Sequence, residues 1–202
     1  TLSPEEKYKL MPEINPELLE KTDKAQGNLF ENKDTKKPIQ AHYNHNHYHL
    51  VNDEDNLKKF VSKLEKQTVF AIDTETNSLN PISADLVGIS ICYDELSAYY
   101  LPLKGIGANT LPKQMVLKHL GPILEDKNIK KVGHNIKFDY EVLTQNGFSL
   151  DGITFDTMIA AYLINPNARS QKLDDLAFSE LGIEMTKITE LIGEGKTQIT
   201  FD

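Results

Sequence analysis

The chain has 202 residues, of which 30 are acidic and 22 basic, giving a formal charge of −8. That balance argues against a broad basic face gripping duplex phosphates, and it leaves room for a small acidic site that holds cations. The longest apolar run, Met158 to Ile164, falls far short of the ~20 residues that cross a bilayer; residues 1–20 lack the apolar core of a secretory signal; and the single cysteine, Cys92, excludes an internal disulfide and a Cys-based zinc site.

The composition therefore points to an intracellular, cytoplasmic protein without membrane association. Its first residue is Thr rather than Met, as expected of an excised or processed piece. The apolar share of 39% lies below the roughly 45–50% of a compact domain, which implies one folded domain plus a poorly packed segment. Residues 1–41 are that segment. They carry 7 Lys, 8 acidic residues and the prolines Pro4, Pro12, Pro16 and Pro38, with too few apolar side chains for a core. Ser3-Pro4-Glu5-Glu6 and Asn15-Pro16-Glu17 are short helix starts within this tether.

The folded part begins near Tyr43, so the domain is placed at residues 42–202. Tyr48 to Val51 is expected to form a short strand. Asp53 then caps a helix whose apolar face is Leu57, Phe60, Val61 and Leu64. Strand-like runs at Val69–Asp73, Leu86–Cys92 and Ala98–Leu103, joined by short turn-rich links, predict an antiparallel meander. The pattern then alternates: helix over Pro112–Leu124, strand over Lys130–Gly133, helix over Ile136–Gln145, strand over Ile153–Phe155, and helices over Thr157–Ile164 and Leu173–Leu181. Thr189 to Asp202 is Gly- and Thr-rich and is expected to be a loop. A meander followed by alternating strands and helices predicts an α/β fold, a mixed sheet flanked by helices.

The strongest local signal is Val69-Phe70-Ala71-Ile72-Asp73-Thr74-Glu75-Thr76. Residues i and i+2 of a strand point the same way, so Asp73 and Glu75 project together from the end of a buried strand. Two like charges held that close repel unless a cation lies between them, and hard oxygen ligands suit Mg²⁺ or Mn²⁺. The alternative is a pair of acids opening a solvated turn. A second segment, Val132-Gly133-His134-Asn135-Ile136-Lys137-Phe138-Asp139-Tyr140, passes from strand to helix through a glycine. Asn135 and Asp139 lie four apart on one helix face, with Asp139 near the positive end of the helix. The alternative there is an Asn cap beside an ordinary Asp. Together the two segments supply three carboxylates, the usual material of a two-metal phosphodiester site.

Other features carry paired readings. His42, His45, His47 and His49 form either a metal cluster or a solvated polar edge, with the last three on one strand face. His134 either contacts a phosphate or serves as a helix-entry residue. Asp156 and Asp174 read as helix caps and Cys92 as a core residue. Lys104, Lys113, Lys118, Lys127, Lys130, Lys131 and Lys137 either guide a phosphate backbone or face solvent.

From Thr68 onward the chain resembles the 3′→5′ exonuclease (proofreading) domain of bacterial DNA polymerase I, family A, within the ribonuclease-H-like four-carboxylate exonucleases. The segments that carry the resemblance are FAIDTETNSL, ADLVGISI, AYYLPL, KKVGHNIKFDYEVL, GITFDTMIAAYLIN, LDDLA and GKTQITFD. It implies a ribonuclease-H-like sheet, Asp73 and Glu75 as the first exonuclease motif, and Asp139 as the second. These three are then both catalytic residues and ligands of two divalent ions. It further implies substrate contacts from Thr74, Leu79, His134, Asn135 and Phe138, with Leu79 wedged against the terminal base and Asn135 positioning the end nucleotide.

The implied reaction is removal of 3′-terminal nucleotides from single-stranded DNA ends in replication and repair, by a bacterial, nucleoid-associated protein. The implied partners are polymerase and 5′-nuclease domains of the same parent chain. Gln26, Leu29 and Phe30 either resemble the short peptide by which bacterial polymerases dock on the sliding clamp or belong to a chance pentapeptide that packs locally. The family's third motif, a Tyr with a fourth carboxylate four residues on, follows the segment matching GKTQITFD. The chain stops at Asp202, so an inactive piece exposing an apolar strip is expected. Two rivals are a non-catalytic scaffold and an RNA-trimming exonuclease of the same superfamily.

Overall fold

A computed structural model describes residues 47–94, 97–105, 109–187, 190 and 193. The expectations for the tether, including Gln26, Leu29, Phe30, His42 and His45, and for most of the stretch from Thr189 on lie outside these residues. Six strands form one sheet: β1 (Tyr48–Leu50), β2 (Val69–Thr76), β3 (Leu86–Cys92), β4 (Ala98–Pro102), β5 (Lys130–Gly133) and β6 (Ile153–Asp156). Their order is β1-β4-β3-β2-β5-β6. β2, β3 and β4 are the antiparallel meander, whereas β5 runs parallel to β2, β6 to β5 and β1 to β4. The helices are α1 (Glu54–Leu64), α2 (Lys113–Glu125), α3 (Ile136–Gln145), α4 (Thr157–Ile164) and α5 (Leu173–Leu176), which continues as a π-helical turn over Ala177–Leu181. The expected mixed α/β architecture is thus present.

Alternation along the strands splits the sheet into two unlike faces. Phe70, Ile72 and Thr74 of β2, Ile89 and Ile91 of β3, and Tyr99 and Leu101 of β4 are buried. They share a core with Leu57, Phe60 and Leu64 of α1, Val116, Leu120 and Leu124 of α2, and Val142 and Leu143 of α3. The Asp53 side chain accepts from the Asn56 N–H at 2.8 Å and starts α1 as expected. Phe60 packs its ring 4.8 Å from that of Tyr99. On the other face, Val69, Tyr48, Leu50 and Phe155 are exposed, as are Ile159, Tyr162, Leu163 and Ile164 of α4.

Four expectations need correction. β2 does not end at Asp73: backbone pairing with β3 carries it to Thr76, with Glu75 opposite Gly88. Main-chain hydrogen bonds extend the strand past its last apolar residue. Cys92 is not a core residue, because Ile89 and Ile91 take the inward positions; it is half-exposed and its Sγ donates to the Asp94 carbonyl. Asp174 is not the cap of α5, whose N-cap is Lys172; it lies in the first turn. Lys131 neither faces solvent nor guides phosphates. It is fully buried, its Nζ donates to the Asp126 carbonyl at 2.7 Å, and it stands 5.6 Å over the Phe70 ring. Burial pushes its pKa down.

The α2–β5 connection and the turn into β6 meet at Gly152. It has φ 74°, a left-handed conformation, and a Cβ there would fall 2.9 Å from the Ile129 carbonyl oxygen. Its own carbonyl accepts from the Lys131 N–H at 2.9 Å. Gly152→Ala should therefore destabilise the fold by about 1–3 kcal/mol, combining left-handed strain with a steric push on backbone. Urea denaturation checks this, and an unchanged midpoint would refute it.

Candidate active site

The second acidic segment begins where β5 hands over to α3. Asn135 occupies the helix N-cap with φ 59°, and its side chain makes no capping bond. The cap comes instead from Asp156 at the end of β6. One Asp156 oxygen accepts from the Asn135 N–H at 3.1 Å and the other from the Ile136 N–H at 2.9 Å. The same carboxylate accepts from the N–H groups of Met158 at 2.8 Å and Ile159 at 3.3 Å, so it also caps α4. Two helix N-termini thus converge on one carboxylate, each supplying donors that have no partner within the helix. Beside it, His134 Nδ1 lies 2.9 Å from Thr157 Oγ1, and that hydroxyl donates to the Gly133 carbonyl at 3.2 Å.

This junction sets the position of Asp139 in the first turn of α3, which packs on β2. Asp139 is buried, and its Oδ1 accepts from both the Thr74 N–H at 2.8 Å and the Thr74 hydroxyl at 2.7 Å. Thr74 is the residue between Asp73 and Glu75. Its side chain is buried against α3 and holds the third carboxylate; the sequence-based expectation had placed it among the substrate contacts. Asp73 and Glu75 point to the open face, opposite Ser90 and Gly88 of β3.

The electrostatics record the crowding. Burial pushes the Asp139 pKa up to about 6, with the Asp73 charge adding to the rise and the Thr74 hydrogen bonds opposing it. Burial also raises Glu75, again with help from Asp73. Asp73 is reached by solvent, yet the cleft walls withdraw enough water to raise its pKa, while the His134 ring opposes the shift. Among the described residues, no three His, Cys, Asp or Glu side chains stand in a metal-holding group. The structure brings together an open-face pair and, through Thr74, a third carboxylate within charge range. His47 and His49 do not add to it, and the His49 ring stacks 4.7 Å from Tyr99. Leu79 is 95% exposed and Asn135 is exposed, so both are free to meet a ligand, whereas Phe138 packs partly against the core.

A family model described as 3′-5′ exonuclease matches residues 48–202. The chain belongs to the 3′-5′ exonuclease family. DNA polymerase I of Chloroflexus aurantiacus is 40% identical over 154 residues, 75% of this chain and 16% of that protein. The chain thus spans about a sixth of that relative's length. Among solved structures, the POL domain of Pol1 from M. smegmatis, in complex with DNA primer-template and dNTP, aligns with TM-score 0.57 at 26% identity, covering 68% of this chain and 23% of that one. Trypanosoma brucei RNase D in complex with RNA U12 aligns with TM-score 0.59 at 20% identity, over 71% of this chain and 50% of that one. The latter likeness is one of fold and confirms the ribonuclease-H-like sheet.

Within this exonuclease fold, two residues carry more than their sequence pattern shows. Asp156 has the signature of an ordinary cap before α4, and nothing in the spacing reveals that it also caps α3. Thr74 has no signal beyond its place between two acids. Asp156→Ala should cost about 2–3 kcal/mol, since two helix ends lose their acceptor at ~1 kcal/mol or more each. Asp156→Asn should fall between the two proteins in denaturant titration. A loss below ~0.5 kcal/mol for the alanine variant would show that the junction is held by other contacts.

The raised carboxyl pKa values also fix the sign of a pH effect. Between the unfolded carboxyl value of about 4 and the folded Asp139 value of about 6, the folded state binds more protons than the unfolded one. Stability of the metal-free chain should therefore be greatest below that window and fall as pH rises through it. Asp139→Asn should flatten this dependence. Thermal melts from pH 4 to 7 in EDTA are the measurement, and stability rising across the window would contradict the assignment.

Proposed function

We propose that Asp73, Glu75 and Asp139 hydrolyse the 3′-terminal phosphodiester of DNA, and that they do so around two divalent cations, Mg²⁺ or Mn²⁺. The observation that carries this reading is the placement of Asp139 on Thr74, between the two acids of β2. The donor chemistry fits such ions: three carboxylates with raised pKa values sit where one added cation relieves both mutual repulsion and poor solvation. Held by these residues, such ions would supply a lowered pKa for the attacking water and stabilisation of the departing 3′ oxygen.

The residues divide the work by position. Asp73 lies in charge range of the other two and would hold both ions. Glu75, which faces the open groove with the half-exposed Tyr100, would serve the nucleophile side. Asp139, its carboxylate oriented by the two Thr74 donors, would serve the leaving-group side. Leu79 stands fully exposed to stack on an unpaired terminal base, with Asn135 and His134 at the mouth of α3 to position the sugar and phosphate. A few frayed nucleotides need little positive surface, which reconciles DNA binding with a charge of −8. The relatives carry the name DNA polymerase I, which supports DNA over RNA as the substrate; a cytoplasmic setting beside polymerase and 5′-nuclease domains is part of the same proposal. No helix of the described residues is long and apolar enough to cross a membrane.

The deciding variant is Asp73→Ala, assayed with a labelled single-stranded oligonucleotide and Mg²⁺ or Mn²⁺. The variant should lose at least ~10³-fold in rate while melting no lower than the parent, because one of several crowded negative charges is gone. Near-normal cleavage by Asp73→Ala would sink the site assignment.

A further inference from the structure

The open face beside Glu75 holds one more polar group that the mechanism above does not use. Tyr100 sits on β4 opposite Ser90, which in turn lies opposite Asp73, so the three share a row across the sheet. Gly88, two residues before Ser90, lies opposite Glu75. A Cβ at Gly88 would collide with the ring and hydroxyl of Tyr100. The absence of a side chain there lets the phenol lie down over the strand and bring its hydroxyl toward Glu75. Glu75, Ser90 and Tyr100 line one groove of about 410 Å³, together with Tyr48, Leu50 and Ala98. Among the described residues the Tyr100 hydroxyl has no hydrogen-bond partner.

We infer that Tyr100 is a positioning residue for Glu75: its O–H, which bonds no other group among the described residues, is the donor poised to hold the carboxylate once that group turns to receive a cation, with Gly88 as the space that admits the ring. The inference rests on the metal-binding reading of Asp73 and Glu75. A ligand carboxylate with a fixed outer hydrogen bond loses less freedom on binding, and removing such a donor commonly weakens metal affinity by roughly tenfold or more. The arrangement differs from a water-orienting Tyr, because the phenol addresses the ligand rather than the nucleophile.

The test uses Tb³⁺ as the probe ion on the full 202-residue chain. Tb³⁺ takes hard oxygen ligands, and its emission is sensitised by a nearby tyrosine. Affinity is measured separately by calorimetry, so that loss of the sensitiser is not mistaken for loss of binding. The wild type should bind saturably with sensitised emission, and Asp73→Ala should abolish both. Tyr100→Phe keeps the ring and should retain the circular dichroism spectrum. It should raise the Tb³⁺ Kd roughly tenfold and remove most of the sensitised emission. Gly88→Ala, which displaces the phenol, should do the same with Tyr100 still present. If Tyr100→Phe binds Tb³⁺ within about twofold of wild type while Asp73→Ala does not bind, the role of Tyr100 is overturned and the metal reading stands. If the wild type shows no saturable binding, the metal reading falls and this inference falls with it.

Discussion

A single carboxylate organises the site from outside it. Asp156 receives four backbone N–H groups, two at the start of α3 and two at the start of α4. Without that acceptor, Asn135 would have to cap α3 itself, and its left-handed backbone points its side chain elsewhere. Because the acceptor belongs to β6 and the donors to two helices, the sheet edge and both helix entries are fixed relative to one another. Asp139 lies in the first turn of α3, so the fix passes directly to it, and Thr74 completes the tie to β2.

That rigidity has an electrostatic cost. Asp139 is buried, Glu75 half-buried and Asp73 reached by solvent at the cleft, and each carries a raised pKa. A fold that needed only stability would place neutral groups there. Thr74 offsets part of the penalty for Asp139 with two short donors, whereas Asp73 and Glu75 face the open side with less local help. The imbalance is what a cation would correct: Asp139 lies buried, whereas Asp73 and Glu75 border the core from the open face. The two functions of β2 are separated by its pleat: Phe70, Ile72 and Thr74 build the core and hold α3, while Asp73 and Glu75 serve the open face.

Much of this was legible in the sequence, and the reasons differ by element. The helix at Ile136–Gln145 was readable from its apolar residues and the preceding Gly133, and that at Thr157–Ile164 from its apolar run and the Asp156 cap. The acidic pair was readable because a strand's period of two puts alternate residues on one face. The end of β2 was not, since Thr74, Glu75 and Thr76 are held by pairing with β3 rather than by apolar character. Cys92 was misread for a related reason: a run in which nearly every residue is apolar does not say which parity faces inward. Lys131 was misread because a buried lysine looks like an exposed one in composition, and only the Asp126 carbonyl and the Phe70 ring explain its place. The double cap by Asp156 joins residues about twenty apart in sequence, a contact that no local pattern encodes.

The division between the two sheet faces explains why the site lies where it does. On the closed face, α1, α2 and α3 bury the alternate residues of β2, β3 and β4, which leaves no room for a substrate. On the open face, the row Asp73, Ser90, Tyr100 and Leu50 runs from the acidic pair outward to apolar and aromatic side chains. A nucleotide end has matching parts: an anionic phosphate that needs cations, and a flat base that needs apolar contact. Carboxylates alone would repel the phosphate, and aromatics alone would not hydrolyse it. Only a face on which the two lie side by side serves both ends of such a ligand, and in this fold alternation along β2 restricts that face to one side of the sheet.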